Sequence, residues 1–309
     1  MNIDVEYLDS SGNMSTRSYH ISRLALTKHL AIAGQGYSPK PEKFLRTIGM
    51  FLHYSHYLQK NALNNNRFSE PPISLSDPTE KSQFSNIAGK AIADFLSKRI
   101  DSSLFTVNYE AAMRIKGMPV RGFRPDLIAY SPQAMFAIEA KGFTNGHGNM
   151  HAHKNQSKTG GIPVNYTIAS ISYDLYNQIK CKYHDPYNED VNYDNKTLQN
   201  LTKVYYSGLA EFLDNKYFEK KTTQINGEKF YEIELSLRNF NAINYDSAFN
   251  FFWLDDIFHF FRPRLILPQN IKELAQNGIT NNTEPFIFNS DSNNIYIDND
   301  RVGLNVRRW

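Results

Sequence analysis

Apolar side chains recur at Phe84, Ile87, Ala88, Ala91, Ile92, Phe95 and Leu96, the three- and four-residue spacing of a single helix face, and predict a helix over residues 78–99. Asp77 as N-cap, Pro78 at the first helical position and Glu80 three residues after the cap form a capping box that starts it. The period then shortens to two. In "LFTVNYEAAMRIK", Phe105, Val107, Tyr109, Ala111, Met113 and Ile115 alternate with Thr106, Asn108, Glu110 and Arg114, so a half-buried strand is expected over 104–115 with Glu110 on its polar side. Two short apolar runs follow, "PDLIAY" and "AMFAIEAKG", separated by Ser131-Pro132-Gln133, the pattern of neighbouring strands joined by a tight turn.

Elsewhere the pattern is less regular. "KFLRTIGMFLHYSHYLQK" (43–60) is an amphipathic stretch in an otherwise helical and irregular first region, and a polar, proline-bearing connector closes that region near residue 75. "NYTIASISY" reads as a strand after the polar segment 143–161. Leu198, Leu201, Tyr205, Leu209 and Phe212 lie on one side of a helix, "KFYEIELSL" is a strand, and "NIYIDNDRVGLNV" carries terminal strands. The expected organisation is an N-terminal region 1–75, an α/β core 76–200 and a C-terminal α+β extension 201–309.

Composition changes this picture little. Hydrophobic residues make up 41% and aromatics 14% of 309 residues, enough for a sizeable core. Net charge is only +3, so an acidic partner must be met by a local patch. One cysteine, Cys181, excludes an internal disulfide framework and fits a reducing compartment. No apolar run is long enough to span a membrane, and the N-terminus carries acids where a secretory signal carries bases, so a cytoplasmic location away from membranes is expected.

Charge at the ends of the two apolar runs does matter. Glu139 and Lys141 are two apart on a predicted strand and project from one face, while Ala140 points into the opposite layer. Asp126, at the start of the preceding strand, reaches the same point if the strands are neighbours. Two carboxylates, the backbone carbonyl of Ala140 and waters make the hard-oxygen environment that Mg²⁺ prefers, with Mn²⁺ as a substitute. Beside it, the Lys141 ammonium would orient a water or stabilise charge developing on a phosphate. The plainer reading makes Asp126 a turn cap and Glu139 and Lys141 a solvated pair, yet burying such charges without function costs several kcal/mol, roughly.

The helix at 78–99, the strand at 104–115, Pro125-Asp126 and then Glu139-Ala140-Lys141 resemble the PD-(D/E)XK nuclease superfamily, over about residues 78–175. The resemblance implies a restriction-endonuclease-like core of order helix–strand–strand–strand–helix–strand, a central mixed sheet flanked by helices. It also implies a metal held by Asp126 and Glu139, with Lys141 aiding the nucleophile. An extra acid on the first helix falls to Glu80, and Gln156 and Lys158 match a polar position on the helix after the motif strand; Glu110 is a further candidate for the site. The implied activity is Mg²⁺-dependent endonucleolytic cleavage of DNA in prokaryotic restriction, anti-phage defence or DNA processing. A catalytically inactive module that binds nucleic acid or a partner protein is the alternative.

Other constellations are weaker. His147, His151 and His153 contain an i, i+4 pair that would suit zinc in a helix, although the third would face elsewhere. "HDPYNED" (184–190) lacks the surroundings of an amino-methyltransferase site. No phosphate-binding GxxxxGK[ST] loop is present, so energy-driven translocation would need a helicase, ATPase or sensor partner; homodimerisation is compatible with the sequence. The aromatic block at 248–261 is expected to fill a core or a dimer seam. Basic residues at 154, 158, 180, 182, 262, 264, 301, 307 and 308 are scattered along the chain and would have to converge to hold DNA.

Overall fold

A computed structural model of the chain describes residues 1–34, 50, 53–70, 78–188, 195–215, 218–235, 262–279, 283–288 and 294–306. Half of the amphipathic stretch at 43–60 lies outside these residues, as do Asp77 and the aromatic block at 248–261.

The chain begins with β1 (Asn2–Leu8) and β2 (Met14–His20), an antiparallel hairpin, followed by α1 (Arg23–Ile32). The first region is therefore not simply helical. Ile3 and Val5 alternate with polar residues in β1, and β1 pairs in parallel with β7 (Lys180–Asn188), which brings the N-terminus into the main sheet. A hairpin needs only this short alternation on one strand, a weaker signal than a helical stripe. After α2 (Lys60–Asn64) comes α3 (Pro78–Ile100), matching the predicted helix.

Over 104–115 the expected strand is split. β3 (Phe105–Asn108) ends where Asn108 caps α4 (Tyr109–Ile115), its side chain accepting from Ala111 N. Tyr109, Ala112 and Met113 suit a helix face as well as alternation suits a strand, and the asparagine decides between them. Glu110 accordingly sits in the first turn of α4 rather than on a strand.

β4 (Leu127–Tyr130) and β5 (Met135–Gly142) are antiparallel neighbours, Leu127 opposite Ile138. α5 (Met150–Ser157) then carries the chain to β6 (Tyr166–Tyr173), parallel to β5. Seven strands make one mixed sheet in the order β2-β1-β7-β6-β5-β4-β3, flanked by helices. On β5, Phe136, Ile138 and Ala140 pack with Phe84, Ala88, Ala91 and Phe95 of α3, while Met135 and Ala137 face the other layer, with Tyr109 and Ala112 of α4 and Leu201, Tyr205 and Leu209 of α6 (Asn195–Asp214). Each Phe, Ile, Leu or Met among these contributes about 1.5–3 kcal/mol on full burial.

Glycines let α3 approach β5 with backbone against backbone. A Cβ on Gly142 would lie 1.8 Å from Ser85 O, and one on Gly89 2.4 Å from Gly142 N. That contact sets the residue after Gly89, Lys90, beside the end of β5.

A second, five-stranded sheet has the order β11-β12-β10-β9-β8, from β8 (Glu219–Ile225), β9 (Glu228–Glu234), β10 (Arg264–Pro268), β11 (Ile295–Ile297) and β12 (Gly303–Asn305), with α7 (Ile271–Asn277) after β10. Its β11–β12 turn is fastened to α1 and α3 by a buried charge network. Lys28 Nζ lies 2.7 Å from Asp300 and 3.0 Å from Asp298, and Lys98 Nζ 2.9 Å and 3.0 Å from the same two. His29 Nδ1 is 2.6 Å from Asp94 and its Nε2 3.0 Å from the Tyr296 hydroxyl. Burial holds His29 below its ordinary pKa, so the consistent assignment is a neutral ring donating from Nδ1 and accepting from Tyr296.

Among the described residues no helix is long and apolar enough to cross a membrane.

Candidate functional site

Continuing the β4–β5 register by one residue places Asp126 opposite Glu139, on the same face. Asp126 precedes β4, and its backbone N–H donates to Ile138 O at 3.0 Å. Ala140 N–H donates to Asp126 Oδ2 at 3.3 Å, which ties the carboxylate to the end of β5. Lys141 Nζ bridges the two acids, 3.0 Å from Asp126 Oδ2 and 2.8 Å from Glu139 Oε1. The structure therefore brings Asp126, Glu139 and Lys141 together.

Their environments differ. Glu139 is fully buried; its Oε1 meets the Lys141 ammonium at 2.8 Å, and its Oε2 has no donor. Burial first, and the Asp126 charge second, push the Glu139 carboxyl up to about 8, against the pull of Lys141. Asp126 moves the other way. Burial would raise it, but Lys90 and Lys141 outweigh burial and hold it below its ordinary range. For Lys141 burial is likewise outweighed, by Asp126 and Glu139, and its pKa is raised.

Lys90, which sequence reasoning did not single out, approaches from α3 and sits 3.0 Å from Asp126 Oδ1. Its signal was present: a lone cation within the apolar run "NIAGKAIADFL". A cleft of about 260 Å³ opens on Asp126 and is walled by Lys90, Glu110, Phe123, Arg124 and Gln156, among others. Glu139 and Lys141 lie behind Asp126 rather than in this wall.

The other expected residues separate into two groups. Glu110 faces the cleft and pairs with Arg124, and Gln156 of α5 donates to Arg124 O at 3.1 Å, so both frame the site without touching the Asp126–Glu139 pair. Glu80 is not brought to it: it accepts from the Tyr57 hydroxyl at 2.7 Å and stands ten residues, about 15 Å of helix, before Lys90. Lys158 is exposed at the C-cap of α5.

One acid on the wall of a polar cleft and a second, buried beside it with an oxygen that has no donor, are a donor set fit for a hard divalent cation. Among the described residues no group of three or more His, Cys, Asp or Glu side chains is arranged to hold a metal ion, and His147, His151 and His153 form no such cluster. His151 pairs instead with Asn155, while burial and the nearby Lys141 lower the His153 pKa. Of the scattered basic residues, Lys182, Arg264 and Arg301 are each matched by glutamates, so these do not build a common anion-binding surface.

Compared with known protein families, characterised proteins and solved structures, the chain matches none.

Proposed function

We propose that this chain is a metal-dependent endonuclease that hydrolyses phosphodiester bonds in DNA, with Mg²⁺ held by Asp126, Glu139 and the Ala140 carbonyl. The observation that carries this reading is the Glu139 carboxylate. It is wholly buried, meets the Lys141 ammonium at one oxygen and no donor at the other, and faces a second acid across one strand pair. A buried acid with one oxygen left without a donor costs stability, and a purely structural role would have supplied the second donor.

The order of elements supports the same reading. α3, β3, β4, β5, α5 and β6 run helix–strand–strand–strand–helix–strand, with β5 and β6 parallel across α5 and the short α4 as an addition. That is the order the resemblance implies for a restriction-endonuclease-like core. Restriction, repair or anti-phage defence is the setting it suggests, with a helicase, ATPase or sensor partner, or a second copy of the chain, as the means of control.

When bound, a divalent ion would polarise a phosphate oxygen and acidify a water. The protein's own groups do the rest. Lys141, already between the two acids, orients the attacking water and offsets charge as it builds on the phosphate. Lys90 steadies the Asp126 carboxylate from the helix side and adds positive charge to the cleft, which draws in a phosphate backbone. Gln156 and Glu110 hold Arg124 at its rim.

Incubating the purified protein with supercoiled, linear and single-stranded DNA, each with Mg²⁺, Mn²⁺ or chelator, tests this directly. Cleavage that requires Mg²⁺ or Mn²⁺ and stops with chelator is expected. Binding without cleavage across the panel would assign the chain to the binding-only role instead.

A further inference from the structure

We propose that Phe123 is a stacking platform for an unpaired nucleobase at the mouth of the Asp126 cleft, which makes single-stranded or locally unstacked DNA the preferred substrate over intact duplex. The inference deepens the nuclease reading and rests on it for the phosphate's position. Phe123 is 79% exposed, the most exposed of the large apolar side chains among the described residues. Met14 and Ile287 are also exposed, but only Phe123 borders a cleft that holds an acid and a cation.

The ring is not on a loose tip. Arg124, next to it, is fixed through Glu110, through the Gly122 carbonyl at 2.7 Å and through Gln156. Pro125 beyond it is buried. Gly117 and Gly122 take positive φ, +69° and +72°, and shape the loop that presents the ring. From Arg114 to Arg124 the chain carries Arg114, Lys116, Arg121 and Arg124 and no acid. An aromatic face in a segment rich in cations, beside a phosphate-directed site, is the combination that holds a single strand, bases stacking on the ring while cations follow the backbone.

Duplex DNA is a poor fit. Its bases offer edges to the grooves, and their faces are covered by neighbours. Phe123 stands three residues before Asp126, so the base it can reach is a neighbour of the phosphate held there.

The test uses the full chain in Ca²⁺ or chelator, where binding is read without cleavage. Fluorescence anisotropy would follow a labelled oligothymidylate of about 20 nucleotides, longer than the roughly 4–16 that a single-strand groove covers. A duplex of equal length and a duplex with a central unpaired bulge provide the comparison. Phe123→Ala is expected to weaken the single strand and the bulged duplex by about 5- to 150-fold, the worth of one stacked base, and intact duplex by less than about twofold. Phe123→Trp is expected to match or exceed the wild type on the single strand. Equal affinity of wild type and Phe123→Ala for oligothymidylate, or equal weakening on all three probes, overturns the proposal. If the wild type cuts DNA with Mg²⁺ and Phe123→Ala shows no selective loss, stacking alone has failed; if the selective loss appears and no metal supports cutting, the nuclease reading alone has failed.

Discussion

Asp126→Ala and Lys141→Ala proteins should stay folded and bind DNA while cleavage collapses. Losing charge stabilisation at one position costs about 10²–10³ in rate, and losing a metal ligand should cost more. Affinity for nucleic acid is spread over many phosphate contacts, so it does not depend on these two side chains. The structure adds a sign to the binding prediction. Asp126 now neutralises both Lys90 and Lys141, at 3.0 Å each, and its removal frees Lys90 in the cleft wall and leaves Lys141 with Glu139 alone. Asp126→Ala is therefore expected to bind DNA as tightly as the wild type or more tightly in the absence of metal. Gel-shift and cleavage assays on each variant, with circular dichroism to verify folding, read both effects; a folded variant that cuts at the wild-type rate places the chemistry elsewhere.

The second large effect concerns stability. Asp300 accepts from Lys28, from Lys98 at 2.9 Å, from the Tyr205 hydroxyl and from Val302 N–H, all within the protein. Asp300→Ala leaves two buried ammonium groups short of charge, and breaking a buried pair in this way costs about 3–5 kcal/mol. A fall of that size is expected in urea denaturation, and a change below about 1 kcal/mol would mean that water reaches the network.

The same network sets a pH response. Burial would raise the Asp94 carboxyl, but Lys98, His29 and Lys28 outweigh it and bring the group down to about 2 from an ordinary 3.8. Asp298 is also held well below its ordinary range, chiefly by Lys28 and Lys98 against burial. A depressed acid contributes stability that is complete above its unfolded pKa and is lost as pH falls through its folded value. The contribution of Asp94 and Asp298 should thus be complete above about pH 4 and be lost between about pH 4 and pH 2, where denaturation midpoints are expected to drop.

The helix at 78–100, the β4–β5 pair and the acids at its end were legible because one period or one turn defines each of them. The rest depends on contacts that no local pattern carries. Alternation at 104–115 concealed a cap at Asn108, since a residue that stops a strand also fits its polar side. β1 declared itself only by pairing with β7, more than 170 residues away. Asp94, Lys98, Asp298 and Asp300 look like ordinary surface charges in the sequence and become a network only when α3 meets the β11–β12 turn. Lys90 and Phe123 were visible as a cation in an apolar run and an aromatic in a basic one, but their relevance required the cleft. Function and fold meet on α3, where Lys90 reaches the site and Asp94 and Lys98, on the next turns, anchor the helix.

Glu139→Gln gives the most direct test of the central claim, because it separates a ligand from a structural residue. The amide keeps the shape of the side chain and can donate to Asp126, but it carries no charge to offer a metal ion and cannot gain one by losing a proton. Cleavage with Mg²⁺ and the thermal midpoint, measured on the same preparations, should diverge: activity falling by more than about 10²-fold, the midpoint equal to that of the wild type or higher. A variant that cuts normally, or one that loses activity only in proportion to lost folding, would contradict the account.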